Sequence, residues 1–502
     1  MEGQTPHAVC IPSPAQGHIC AMLKLSKLLH HKGFHITYVL TQLNHTHIMQ
    51  ARDFLPLNQT PTFRFETIAD GIPARENRHS AIDFTELCFS TAKNCYAPFK
   101  ELVNRLNEAP DVPPVSCIVS DACMSFTVRA AEELGIPIAL FWPVSGVVTM
   151  LHLHSPHLRD KVSRNKGVKK SGVELEEVAH QNLEPVRCTG LVETDYIIDW
   201  IPGIKSIALG DIPSTAWSPD PKDPLIDYII SEISRSYKAS AIIFHTFDEL
   251  EPEVCNALCS MFNRAYTIGP IPLLLKGFPE SEINKIECHM WREDPNCIQW
   301  LDSKPPKSVV YVNFGSMAIT SPEKMIELAM GLCKSMQNFL WIIRSELLSS
   351  DWFATLPPEF MTALKTRGYV AGWCDQERVL NHPSIGGFLT HCGWNSIIES
   401  MSAGVAMICW SCFADQPLNR LCCCSQWGLG VEIDTDVNRE NVGRVVRELM
   451  EGDKGREVKK KATFWKERAE VATSVGGSSF SNLDKLIREV LLCDGQYYPK
   501  PV

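Results

Sequence analysis

Charge is scarce in this sequence. Of 502 residues only 21% are Asp, Glu, Lys or Arg, and they sum to a formal charge of −10 at pH 7. Nucleic acids and anionic membranes are bound through cationic patches that displace counterions. The densest basic run, Lys459-Lys460-Lys461, is flanked by acidic residues, so neither partner is expected. Long apolar runs are missing as well. Ile136 to Met150 is interrupted by Pro137 and Pro143 and falls short of the ~20 residues of a membrane span, so no stable membrane insertion is expected. Met1 to Pro6 is neither basic nor apolar, and no secretory signal is read there. There is no Walker loop, and Gly428-Leu429-Gly430 lacks the third glycine of a dinucleotide fingerprint. Cysteine is plentiful, with 20 residues, but they are scattered, and Cys422-Cys423-Cys424 are adjacent, which is awkward geometry for disulfides. Free thiols in a reducing compartment fit better, and a cytoplasmic monomer is expected.

What is present is enough apolar residue, 45% of the chain, for two cores. Ala8 to Ile11 is a short strand pattern, Ala15-Gln16-Gly17-His18 a loop, and Met22, Leu25, Leu28 and Leu29 recur at helical spacing until Gly33. His35 to Leu40 is the next β-rich run, and the same unit recurs at Val115 to Ser120, followed by Asp121 and a helix ending before Gly135. A second copy begins near Ser308: a strand at Val309 to Phe314, Gly315-Ser316, a helix from Ser321-Pro322-Glu323, and a strand at Phe339 to Ile343. Alternating strands and helices predict two α/β, doubly wound parallel-sheet domains facing a cleft, with working loops at the carboxyl ends of strands. The expected division is residues 1–268, a Pro- and Gly-marked linker at 269–290, residues 291–474, and a tail, 475–502, with a helix from Asn482 to Leu492 that returns to the first domain.

The strongest signal is the 44-residue stretch from Trp373 to Gln416. It contains Trp373-Cys374-Asp375-Gln376, then His391-Cys392-Gly393-Trp394-Asn395-Ser396, then Glu399, and it closes on Asp415-Gln416. In physical terms, His391 to Ser396 follows an apolar strand and opens a helix, whose N-terminal N–H groups and partial positive charge suit a diphosphate. Gly393 would let the backbone approach it closely. The stretch resembles the signature box of the plant UDP-dependent glycosyltransferases that modify secondary metabolites. Pro14-Ala15-Gln16-Gly17-His18, Asp199-Trp200-Ile201-Pro202-Gly203 and Phe314-Gly315-Ser316 are similar to that family too, so the resemblance covers essentially the whole chain. It implies the GT-B fold, with two Rossmann-like domains, and a UDP-sugar donor. It also implies diphosphate contacts from His391, Asn395, Ser396 and Ser316, stacking of Trp373 on uracil, with Cys374 beside it, ribose contacts from Gln376 and Glu399, and sugar contacts from Asp415, Gln416 and Trp394. Ser396-Ile397-Ile398-Glu399 also reads as a helix-capping box, which alone would account for both polar residues.

Transfer of a sugar to a hydroxyl needs a base. His18 and Asp121 each follow a strand of the same half, so both can face one cleft, and an imidazole backed by a carboxylate suits the task. The resemblance places both in the family's catalytic positions and implies inversion by direct displacement. No cofactor is expected beyond UDP-glucose as co-substrate, and no metal. Asp434-Thr435-Asp436 has an Asp-x-Asp form, but a three-residue match is cheap, and Cys409, Cys412 and Cys422 to Cys424 read better as buried thiols than as a zinc site. The acceptor is expected to be a small hydrophobic metabolite with a hydroxyl, of the terpenoid, iridoid, cyanohydrin or phenolic type. Phe141, Ser145 and Trp200 are placed against it by position. The chain departs from the family pattern at Asp375, Ala406 and Ser411, where proline is usual, at Cys20-Ala21, where Asn-Pro is common, and at Pro143. Many relatives carry threonine there, with a hydroxyl toward the sugar's C6 oxygen. Gln416 favours glucose, whereas Pro143 leaves another UDP-sugar, xylose or rhamnose, as the alternative. A catalytically silent metabolite-binding relative is the reading from another class.

Overall fold

Each half of the chain folds around a parallel sheet, as the alternation of short apolar runs and amphipathic helices requires. The computed structural model describes residues 5–53, 57, 60–72, 84–164, 169–170, 192–193, 196–218, 220, 222–316, 321–344, 347, 351–433 and 437–492. The first half contributes β1 (His7–Ile11), β2 (His35–Thr41), β3 (Phe63–Ile68), β4 (Cys117–Asp121), β5 (Ile138–Trp142), β6 (Ala241–Phe244) and β7 (Ala265–Thr267). They lie in the order β7-β6-β5-β4-β1-β2-β3, all parallel. The second half contributes β8 (Val309–Asn313), β9 (Asn338–Ile342), β10 (Gly368–Ala371), β11 (Ile385–Thr390), β12 (Met407–Cys409) and β13 (Gly430–Glu432). Their order is β10-β9-β8-β11-β12-β13, again all parallel.

In each sheet the chain builds outward in one direction, returns to the centre and builds outward in the other. The reversals fall between β1 and β4 and between β8 and β11. Loops that leave the carboxyl ends of such a strand pair diverge, one to each face, and open a crevice. The central strands are buried on both faces. Val9 and Ile11 enter one apolar cluster, while Ala8 and Cys10 enter another with Met22, Leu25, Leu28 and Leu29 of the helix Gln16–His31. That helix stops at Lys32, with Gly33 at φ +93° turning the chain into β2.

Residues 269–290, read in the sequence as a linker, lie along the first domain. They hold the helix Ile271–Lys276, and Ile271, Leu274, Ile283, Ile286 and Cys288 are buried in the same cluster as Leu25. Gln16 fastens the segment, donating to the Cys288 carbonyl at 3.1 Å and accepting from the Met290 amide at 2.9 Å. The tail helix starts at Ser478, four residues before the expected Asn482, and runs on to Leu491. Its Leu483, Leu486, Ile487 and Val490 enter the first domain's cluster, and Asn482 donates to the Thr267 carbonyl at 3.1 Å. Asp434-Thr435-Asp436 lies outside the described residues. No helix among the described residues is long and apolar enough to cross a membrane.

Candidate active site

Both reversal points open onto one cleft of about 680 Å³. On the first domain's side the geometry follows from register. Ile11 pairs with Ser120, so the loop after β1 and the end of β4 emerge together. His18, at the start of the helix Gln16–His31, lines the cleft, and its Nδ1 lies 2.7 Å from Asp121 Oδ2. Asp121 is fully buried behind the ring, and its other oxygen accepts from the Cys123 amide at 3.0 Å. Burial of the imidazole works to lower its pKa, but the charge and hydrogen bond of Asp121, joined by the charge of Asp415, outweigh it and leave the pKa raised. Nδ1 is taken by the carboxylate, so Nε2 is the nitrogen left for chemistry.

On the second domain's side Asn313 pairs with Thr390, which brings Gly315-Ser316 beside His391-Cys392-Gly393. The helix Trp394–Ala403 starts here with Gly393 as its N-cap. A Cβ on Gly393 would sit 2.5 Å from His391 Nε2, and one on Gly315, which is at φ +71°, would sit 2.7 Å from the same atom. The glycines are therefore required by close packing of the His391 ring, a local reason that phosphate approach alone did not supply. Burial lowers the His391 pKa to about 4, so the ring is neutral near pH 7.

The capping-box reading of Ser396 and Glu399 does not survive. The helix begins at Trp394, so Ser396 stands at its third position rather than at the cap, and no side chain caps it. Gln376 joins the two residues instead, its Nε2 donating to Ser396 Oγ at 3.0 Å and to Glu399 Oε2 at 2.8 Å. Gln376 Oε1 accepts from Asn313 Nδ2 at 2.8 Å and from the Tyr311 hydroxyl at 3.1 Å. All eleven expected donor residues, Ser316, Trp373, Cys374, Gln376, His391, Trp394, Asn395, Ser396, Glu399, Asp415 and Gln416, line the cleft. Trp373 has Trp291 stacked on one face at 4.8 Å between centroids. Gln416 Oε1 accepts from the amides of Cys412 and Phe413 at 2.9 and 3.1 Å, and Asp415 Oδ2 accepts from Asn419 at 2.8 Å.

The three acceptor positions need correction, because none of them lines the cleft. Phe141 sits in β5 between Leu140 and Trp142, and strand alternation turns it into the opposite apolar cluster. Ser145 caps the helix Gly146–Leu153 and hydrogen-bonds Asn419 Oδ1 at 3.0 Å. Trp200 lies half-buried beneath Lys161, whose ammonium is 3.7 Å from the ring centroid. The first domain's wall is built instead from Trp142, Pro143, Val144, Cys88, Cys123, His152, Thr215, Tyr228 and Ile229. Burial lowers the His152 pKa to about 4, and Thr215 Oγ1 lies 3.0 Å from its Nε2. Apart from Pro143, already singled out as a departure from the family pattern, the sequence carried no signal for these residues, since the loops and helices carrying them share no periodicity. Lys24 and Asn313 were missed for another reason: one sits in a plain amphipathic helix, the other in a plain buried strand.

Among the described residues one group has the spacing to hold a metal ion, Glu287, His289 and Glu293, with ligand atoms within 4.8 Å of one another. Glu287 and His289 also line the cleft. Cys409 and Cys423 are fully buried, and no cysteine among the described residues belongs to such a group.

Residues 224–464 match the family described as UDP-glucoronosyl and UDP-glucosyl transferase. The 7-deoxyloganetin glucosyltransferase of Gardenia jasminoides is 47% identical over 491 residues, covering 97% of this chain and 98% of its own. The (R)-mandelonitrile beta-glucosyltransferase of Prunus dulcis is 44% identical over 496 residues, covering 97% of this chain and 98% of its own. Among solved structures, Phytolacca americana UGT2 complexed with UDP-2fluoro-glucose and pterostilbene superposes with a TM-score of 0.73 at 25% identity, covering 96% of this chain and 99% of that one.

Proposed function

The chain belongs to the UDP-glucuronosyl and UDP-glucosyl transferase family, with the GT-B fold, and we propose that it is an inverting O-glucosyltransferase acting on small hydrophobic plant metabolites. The donor is UDP-glucose and the acceptor a hydroxyl of the terpenoid, iridoid, cyanohydrin or phenolic type. The single observation that carries this reading is the His18–Asp121 pair at 2.7 Å, opening onto the same cleft as the N-terminus of the helix Trp394–Ala403. The relatives named for 7-deoxyloganetin and mandelonitrile support the acceptor class, and the complex with a fluorinated UDP-glucose supports the donor.

The chemistry follows from the geometry. The acceptor O–H donates to His18 Nε2, the proton passes to the ring as the oxygen attacks the anomeric carbon, and Asp121 stabilises the imidazolium through Nδ1–H. UDP departs from the opposite face. Its growing negative charge is met by the helix N-terminal amides, with Ser316, Ser396, Asn395 and the neutral His391 alongside. Because the helix supplies positive potential where the leaving charge develops, the reaction is read as needing no metal, and a chelator is expected to leave the rate unchanged. Trp373, its other face covered by Trp291, takes the uracil, and Gln376 and Glu399 take the ribose. We place residues 1–268 as the acceptor domain and 291–474 as the donor domain of a cytoplasmic monomer. The deciding experiment offers purified protein UDP-glucose, UDP-xylose and UDP-galactose with hydroxylated terpenoids, cyanohydrins and phenols, following UDP release and the anomeric configuration of the product. A β-glucoside formed fastest from UDP-glucose is expected. An α-linked product would overturn inversion, and a preference for UDP-xylose would move the donor assignment to the reading that Pro143 favours.

A further inference from the structure

The helix Gln16–His31 carries the base, and the helix Trp394–Ala403 carries the groups read as meeting diphosphate and ribose. Side chains of both second-domain residues reach directly to the base-bearing segment. Asn395 Nδ2 donates to the Gly17 carbonyl at 2.6 Å, one residue before His18. Four residues on, and hence on the same helix face, Glu399 Oε1 accepts from Lys24 Nζ at 2.7 Å. Lys24 also contacts Glu377, next to Gln376. The other oxygen of Glu399 is held by Gln376. The ribose-reading carboxylate is thus gripped from both sides of the cleft, by an amide of its own domain and an ammonium of the other. The Lys24 and Glu399 side chains are only 18% and 9% exposed, so the charges act with little water between them. Lys27 and Lys276 face Glu377 as well, whereas Lys24 is the cation that faces Glu399.

We propose that Lys24 is a positioning residue for the donor, which ties the ribose carboxylate Glu399 to the helix bearing His18 so that a seated donor and a placed base come together. Lys24 lies far outside the stretch from Trp373 to Gln416, and it acts through Glu399 rather than on a reacting atom. The proposal rests on the reading of Glu399 as the ribose partner. Removing the ammonium leaves Glu377 and Glu399 facing each other as like charges in a half-dry site, which costs the geometry of the one that must receive the ribose hydroxyls.

The test is steady-state kinetics on the full chain with UDP-glucose varied at saturating acceptor, then the converse. Lys24→Met is expected to raise the donor KM about tenfold, the scale of a typical coupling between sites, with the acceptor KM unchanged. Lys24→Arg restores most of the loss, because the charge and reach are kept. Adding Glu377→Gln to Lys24→Met recovers part of it, because the like-charge clash is relieved, an effect that mere packing by lysine would not produce. Glu377→Gln alone, which leaves Lys24 to Glu399, keeps the donor KM at or below wild type and gives a reading even if Lys24→Met does not fold. A donor KM within about twofold of wild type in Lys24→Met, or donor and acceptor KM rising together, overturns the proposal. If wild type neither binds UDP nor uses UDP-glucose, it is the donor-site reading that fails, and calorimetric titration of wild type with UDP separates the two cases.

Discussion

The two halves of this molecule solve the same topological problem and yet expose their function differently. Each opens its working loops where the strand order reverses, between β1 and β4 in one and between β8 and β11 in the other. In the second half nearly every group on the cleft wall comes from the 44 residues between Trp373 and Gln416, because the loops on either side of two consecutive strands, β11 and β12, and the helix between them open onto the cleft. In the first half the base and its carboxylate stand 103 residues apart and the remaining wall is drawn from five or more separate segments. A ligand shared by a whole family can be held by one contiguous motif, whereas a ligand that varies is held by loops whose sequence carries no common pattern.

The sharpest division of labour predicted by this comparison is chemistry in the first half and donor binding in the second. His18→Ala is expected to lower kcat by about 10²–10⁴-fold, the usual range for a general base, with UDP affinity kept. Calorimetric titration with UDP beside a transfer assay checks both. Equal loss of the two would remove the base assignment and blur the division.

Asp121→Asn comes next. The base must be neutral, so the rate rises with pH as His18 loses its proton. Asp121 raises the pKa of His18, and losing that carboxylate moves the acidic limb of kcat/KM to lower pH while the plateau drops. A pH profile of the two proteins reads the shift directly, and a limb that stays in place would mean that Asp121 is merely structural.

In the second half Gln416→His should weaken glucose transfer by roughly tenfold, the value of one or two hydrogen bonds at ~1 kcal/mol each. The effect is expected in the donor KM, because Gln416 also pins the amides of Cys412 and Phe413 in the loop leading to Asp415. Unchanged donor kinetics would take Gln416 out of the sugar site.

Much of the fold was legible. The apolar runs at Ala8 to Ile11 and Val309 to Phe314 became central strands, and Gly135, at φ +67°, ends its helix where the pattern said. The residues that the resemblance assigns to the donor were legible as a group, since a long box fixes residue identity and order together, and all of them line the one cleft. Three things were not. Phe141 was misplaced because a strand's inward and outward faces alternate every residue and a buried central strand is apolar on both. Ser396 and Glu399 matched a capping box because spacing alone does not say where a helix begins. Lys24 drew no reading at all in its amphipathic helix, because its carboxylate partners Glu377 and Glu399 come from the opposing domain.

Pro143 is where the two halves meet, and it carries the smallest effect and the finest test. It lines the cleft directly after β5, on the first domain's side. Proline offers no donor, whereas the threonine of many relatives would present a hydroxyl toward the C6 oxygen. Pro143→Thr adds one neutral hydrogen bond, ~0.5–1.5 kcal/mol, so kcat/KM for UDP-glucose should rise about two- to tenfold. UDP-xylose has no C6 hydroxymethyl group and gains nothing from it, so its kcat/KM should stay within about twofold, the scatter left by freeing one proline in a loop. The ratio of the two sugars, not either rate alone, is the readout. If both rise together, the substitution acts by loosening the loop, and sugar choice belongs entirely to the second half. If only glucose gains, the first domain contributes to donor selection as well as to chemistry, and the division of labour between the halves is incomplete at this one residue.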